Sequence, residues 1–78
     1  MPEFSLTDDA EAVLVAVQRA GEADVYDLAQ AVGEGPRAVQ EHLRSLDRAG
    51  LVIVSERGDQ IRCTPAGDDY ARGLQQRR

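Results

Sequence analysis

Eighteen residues, GPRAVQEHLRSLDRAGLV at positions 35–52, restrict the fold more than any other part of the chain. Pro36 suits the first position of a helix, where its missing N–H costs nothing. Val39, Leu43 and Leu46 recur at helical spacing, so one face of that helix is buried. Arg37, Gln40, Glu41, Arg44 and Arg48 fall on the opposite face. Gly50 supplies the left-handed residue that stops a helix. Residues 51–54 follow at once as an apolar, β-branched run, which reads as a strand.

The rest of the chain falls into place around this stretch. Thr7 is a good N-cap, and Asp8, Asp9 and Glu11 favour the positive end of a helix dipole, so a first helix is expected over about 7–20. Ala10, Val13, Leu14 and Val17 form its core stripe, while Ala12, Val15 and Ala16 widen the apolar arc. A helix apolar over so much of its circumference is covered on two sides, and a chain this short has little second layer to offer. Asp24 and Asp27 imitate a capping box for a second helix at 25–32, with Val25, Leu28, Ala29 and Val32 inward. Gly33-Glu34-Gly35 is a short glycine turn into the third helix at 36–49, a helix-turn-helix arrangement. A hairpin is expected over 51–64, with Val52, Val54, Ile61 and Cys63 inward and Arg57-Gly58-Asp59-Gln60 at the tip. Thr64 and Pro65 open a last helix at 65–76, with Tyr70 and Leu74 on its apolar face.

Composition sets bounds. Seventy-eight residues are read as a single domain, 1–78, near the lower end of what folds without staples. One cysteine excludes a disulfide framework and any multi-cysteine metal site. There is neither a membrane-length apolar run nor a basic-then-apolar leader, so a soluble, cytoplasmic protein is expected. The net charge of −5 is unevenly spread: residues 1–35 carry eight acids against one arginine, whereas 36–62 and 63–78 are each +1. Nine arginines and no lysine point to a GC-rich genome, and the acidic surface to a high-salt, halophilic source such as an archaeon.

The segment AVQEHLRSLDRAGLV resembles the recognition helix and wing start of MarR-like and ArsR-like winged-helix transcription regulators. The resemblance covers roughly residues 6–74, and His42-Leu43, Leu46, Ala49-Gly50-Leu51-Val52 and Thr64-Pro65-Ala66-Gly67 carry it most specifically. It implies an α+β winged helix-turn-helix with three helices, a β-hairpin wing and a C-terminal helix. It also implies double-stranded DNA as partner. The vicinal cysteines with which some ArsR-like proteins hold metal are absent, which excludes metal sensing by that route.

Chemistry assigns the candidate residues. Arginine forks onto guanine and glutamine onto adenine, so Arg37, Gln40, Arg44 and Arg48 are candidate DNA contacts. Glu41 repels phosphate but can accept from cytosine, and it departs from the basic or polar residue usual in the family. Arg57 and Arg62 near the wing tip are candidates for phosphate or minor-groove contact. With no second histidine, His42 reads as a partly buried structural residue and Cys63 as a small hydrophobe; no metal or cofactor is expected. No nucleophile–base pair, phosphate loop or carboxylate pair in an apolar setting supports an enzyme. The wide arc of the first helix, the Tyr70–Leu74 strip and the terminal-helix interfaces of dimeric relatives predict a homodimer through Phe4, Ala12, Val15, Ala16, Tyr70 and Leu74. The expected function is sequence-specific transcriptional regulation on a short two-fold operator. The rival is an acidic winged-helix module that binds protein instead of DNA.

Overall fold

The computed structural model describes residues 6–76; Phe4 lies outside the described residues. The order of elements is α1 (Asp8–Ala20), α2 (Val25–Val32), α3 (Pro36–Arg48), β1 (Val52–Val54), β2 (Ile61–Cys63) and α4 (Pro65–Gln76). Local chemistry accounts for the ends. The Thr7 side chain accepts from the Ala10 N–H at 3.1 Å and caps α1. Asp24 does the same for α2, accepting from the Asp27 N–H at 2.8 Å. Pro36 stands in the first turn of α3. That helix closes in a Schellman motif: Gly50, at φ 78°, donates to Asp47 O, and Leu51 donates to Leu46 O at 2.9 Å. The motif turns the chain directly into β1.

The three helices enclose a core in which Val13, Leu14, Val17, Leu28, Val39, Leu46, Val52 and Ile61 are completely buried. β1 and β2 pair antiparallel, with Val52 opposite Cys63, Ile53 opposite Arg62 and Val54 opposite Ile61. Sequence patterning did not foresee a third partner. Ala23, between α1 and α2, exchanges two backbone hydrogen bonds with Ile61, at 3.1 and 2.8 Å. The wing is thus stitched at its base to the start of the helix-turn-helix.

α4 differs from the expectation. Tyr70 and Leu74 are only half-buried, and the buried residues of this helix are Gly67 and Ala71. Small residues make the contact because α4 runs close against the chain at Leu51, where a side chain at 67 would overlap the Leu51 carbonyl. Gln18, on α1, joins the two helices by donating to Asp68 and accepting from Gln75 at 2.9 Å.

Candidate nucleic-acid interface

The outward face of α3 is built by helical repetition. With 3.6 residues per turn, Arg37, Arg44 and Arg48 fall within an arc of about 40°, and the row they form is roughly 16 Å long. All three are exposed, as are Gln40 and Glu41. Among the described residues the two ion pairs are His42–Glu34 and Arg72–Asp68, so none of the row's guanidinium groups is taken up in one. Burial of Val39, Leu43 and Leu46 on the other side fixes the rotation that presents this row to solvent.

The wing stands beside it. Gln40, Leu43, Arg44 and Asp47 of α3 line an open cleft of about 310 Å³ with Val54 and Gly58 of the hairpin and Val25 of α2. Gln40 and Arg44 therefore face the wing, whereas Arg37, Glu41 and Arg48 lie outside the cleft lining. The hairpin tip is braced by one side chain: Ser55 Oγ accepts from the N–H of Asp59 at 3.3 Å and of Gln60 at 3.2 Å, and donates to Asp59 Oδ1 at 3.0 Å. The brace holds exposed Arg57 at the tip. Arg62 is also exposed but stands in mid-strand, across from Ile53, which is 52% exposed. The two arginines thus occupy different levels of the wing and do not both flank its tip.

Sequence reading passed over two residues here. Asp47 sits in the cleft beside Arg44, an acid facing the surface on which the arginines gather. Tyr26, 71% exposed in the first turn of α2, neighbours Val25 at the cleft edge. An exposed tyrosine carries no periodic signal, and its side chain is not among those that line the cleft.

A second surface lies along α1. Ala12, Val15, Ala16 and Leu74 line an open groove of about 1070 Å³, joined by Ala20 and by Val32 from α2. Of the other residues assigned to this face, Tyr70 packs against the core and does not line the groove. Acids Asp8 and Glu11 lie towards one end of the groove on α1 and Arg19 towards the other.

The sequence profile of the arsR family of bacterial regulatory proteins matches residues 12–54, more than half of the chain, from α1 through β1. The chain belongs to the arsR family. No curated protein matches it. The fold is shared with solved MarR-type structures. BpsR of Bordetella bronchiseptica, whose DNA binding is regulated by 6-hydroxynicotinic acid, superposes with a TM-score of 0.83 at 24% identity, over 95% of this chain and 56% of that one. Lactococcus lactis ZitR, as its E41A mutant, gives 0.85 at 18% identity over 97% and 55%. A MarR family protein of Mycobacterium tuberculosis gives 0.81 at 23% identity over 90% and 52%. The chain thus spans about half the length of the solved structures it matches.

The arsR family is one of transcription regulators, not of enzymes. No described helix is long and apolar enough to cross a membrane. In this arsR-family chain Cys63 is half-buried, its Sγ 4.0 Å from the Leu14 carbonyl. Burial, and secondarily the Asp68 carboxylate, push its thiol up from the usual value of 9.0, which favours the less reactive protonated form. His42 is half-buried, with Nε2 3.2 Å from Glu34 Oε1, so it ties α3 to the turn that precedes it.

Proposed function

We propose that this chain is a sequence-specific DNA-binding transcriptional regulator that acts in the cytoplasm as a homodimer on a short two-fold operator. The observation that carries the reading is the row of Arg37, Arg44 and Arg48 beside a braced arginine-tipped wing, on a protein whose net charge is −5. Concentrating exposed cations on one surface of an acidic chain is what a phosphate polymer requires. α3 enters the major groove. Arg37 and Arg44 fork onto guanine, Gln40 pairs with adenine, and Glu41 accepts from a cytosine amine. Arg57 at the wing tip and Arg62 in mid-strand reach phosphates or the adjoining minor groove, and Arg48 engages the backbone at the far end of the row. The exposed Tyr26 supplies a hydroxyl that donates to a phosphate.

The α1 groove supports the dimer. A two-fold axis across α1 would bury Ala12, Val15, Ala16 and Leu74 against their own copies and set Arg19 opposite the partner's Asp8 and Glu11. Two recognition helices then meet half-sites about one helical turn apart.

The acids Glu41 and Asp47 beside the row, with the net charge, favour a second reading: a module that binds a protein. A fluorescence-anisotropy titration against DNA from upstream of the protein's own reading frame, over a series of salt concentrations, separates the two. Saturable binding whose affinity falls with salt supports the DNA reading, and no binding at any salt overturns it in favour of the protein partner.

A further inference from the structure

The single histidine of the chain meets carboxylates from two other segments. His42 Nε2 is 3.2 Å from Glu34 Oε1 in the turn between α2 and α3. Asp9, in the first turn of α1, brings a second carboxylate to the same point. One ligand atom from each of Asp9, Glu34 and His42 lies within 4.8 Å of the other two. The sequence offers no second histidine or paired cysteine, so no metal is expected from it; the further ligands are acids that only folding brings near.

We propose that Asp9, Glu34 and His42 bind one divalent first-row transition ion of the zinc, cobalt or manganese type. The donor set fits: imidazole nitrogen and carboxylate oxygen are the ligands such ions take, and three protein ligands leave further positions for water. Electrostatics points the same way. Neither Asp9 nor Glu34 pairs with an arginine among the described residues, so two carboxylates converge on one imidazole without a fixed counter-charge. A bound cation would supply that counter-charge. Geometry permits closure. Donors held about 2.0–2.2 Å from an ion lie about 3–4 Å apart. Asp9 is exposed, so a rotamer change brings its oxygen in while Glu34 and His42, about one-fifth exposed at 23% and 21%, stay in place.

The ion would tie the start of α1, the helix-turn-helix turn and the middle of α3 into one unit. These three segments are adjacent only in the folded chain, so binding stabilises the native state. The proposal does not depend on DNA binding.

The test uses the tag-free full chain. With one histidine, the His42 ring protons are unambiguous in a proton NMR spectrum. Zinc chloride should shift them saturably at one equivalent per chain and raise the thermal midpoint. Asp9→Asn, an exposed substitution that leaves the fold intact, should raise the apparent Kd for zinc at least about tenfold, as should Glu34→Gln. Unchanged ring signals in tenfold excess zinc overturn the site. So does an equal Kd in the wild type and both carboxylate variants, which would mean that the imidazole binds alone. A manganese titration with the same variants checks the ion class through selective broadening of the His42 signals, and broadening that persists unchanged in both variants also overturns the site.

Discussion

Gly67 lies against the carbonyl of Leu51 so closely that a β-carbon at 67 would overlap the carbonyl oxygen. Thr64 completes the same joint. Its N–H donates to Leu51 O at 3.0 Å, its hydroxyl donates to Gly50 O at 2.7 Å, and its oxygen accepts from the Gly67 N–H at 3.0 Å. The start of α4 is thereby fastened to the turn that ends α3.

Gly67→Ala should destabilise the fold by about 1–3 kcal/mol, because backbone must move to admit one methyl. Gly73→Ala, on the same helix where a β-carbon meets nothing within 4 Å, should stabilise it by about 0.5–1 kcal/mol. Urea unfolding followed by circular dichroism reads both. Equal effects of the same sign would show that the approach to Leu51 is not tight.

Arg37→Ala and Arg44→Ala should each weaken operator binding by about 1–3 kcal/mol while leaving helical content unchanged. Anisotropy titrations with circular dichroism as control make the measurement. Wild-type affinity in both variants would take the α3 row out of the interface.

Arg57→Ala and Arg62→Ala should lower affinity for all DNA sequences alike and reduce the salt dependence by about one counterion each. The readout is the slope of log affinity against log salt on operator and on random DNA. A loss confined to the operator would mean that the wing reads bases.

If the chain forms the proposed dimer, Ala12→Glu should make it monomeric. Ala12 is exposed in the α1 groove, whereas Val15 also packs on the core, so position 12 tests the interface without disturbing the fold. A carboxylate buried without a partner there costs several kcal/mol of association, roughly 3–5 by analogy with broken buried pairs. Light scattering gives the answer, and a wild-type mass of 8.5 kDa at micromolar concentration would remove the dimer and the palindromic operator with it.

Cys63 should react with a thiol reagent at pH 8 more slowly in the folded chain than after unfolding in urea. The raised folded-state value means that its protonated form contributes stability below about pH 9, and that this contribution is lost as pH rises past the unfolded value of 9.0 towards the higher folded one. Equal labelling rates in both states would show that α1 and α4 do not shield the thiol.

The fold class was legible in the sequence because its signals are local. Thr7, Asp24 and Thr64 each sit three residues before the N–H they cap, and Val39, Leu43 and Leu46 repeat at the helical period. Such spacings depend on neighbours along the chain alone. The candidate surface was legible in part: the exposed side of α3 follows from its buried side, but its alignment with the wing does not.

Tertiary structure decided what distant residues do to one another. It paired Ala23 with Ile61 and placed Asp47 in the cleft. It chose Gly67 and Ala71 over Tyr70 and Leu74 as the buried face of α4, because the packing there needed small volume more than apolar area. It also gathered Asp9, Glu34 and His42 at one point. Periodicity and capping chemistry determine which elements form and which way each faces. Contacts between segments far apart in the chain leave no periodic mark, so only close packing of the finished elements decides them.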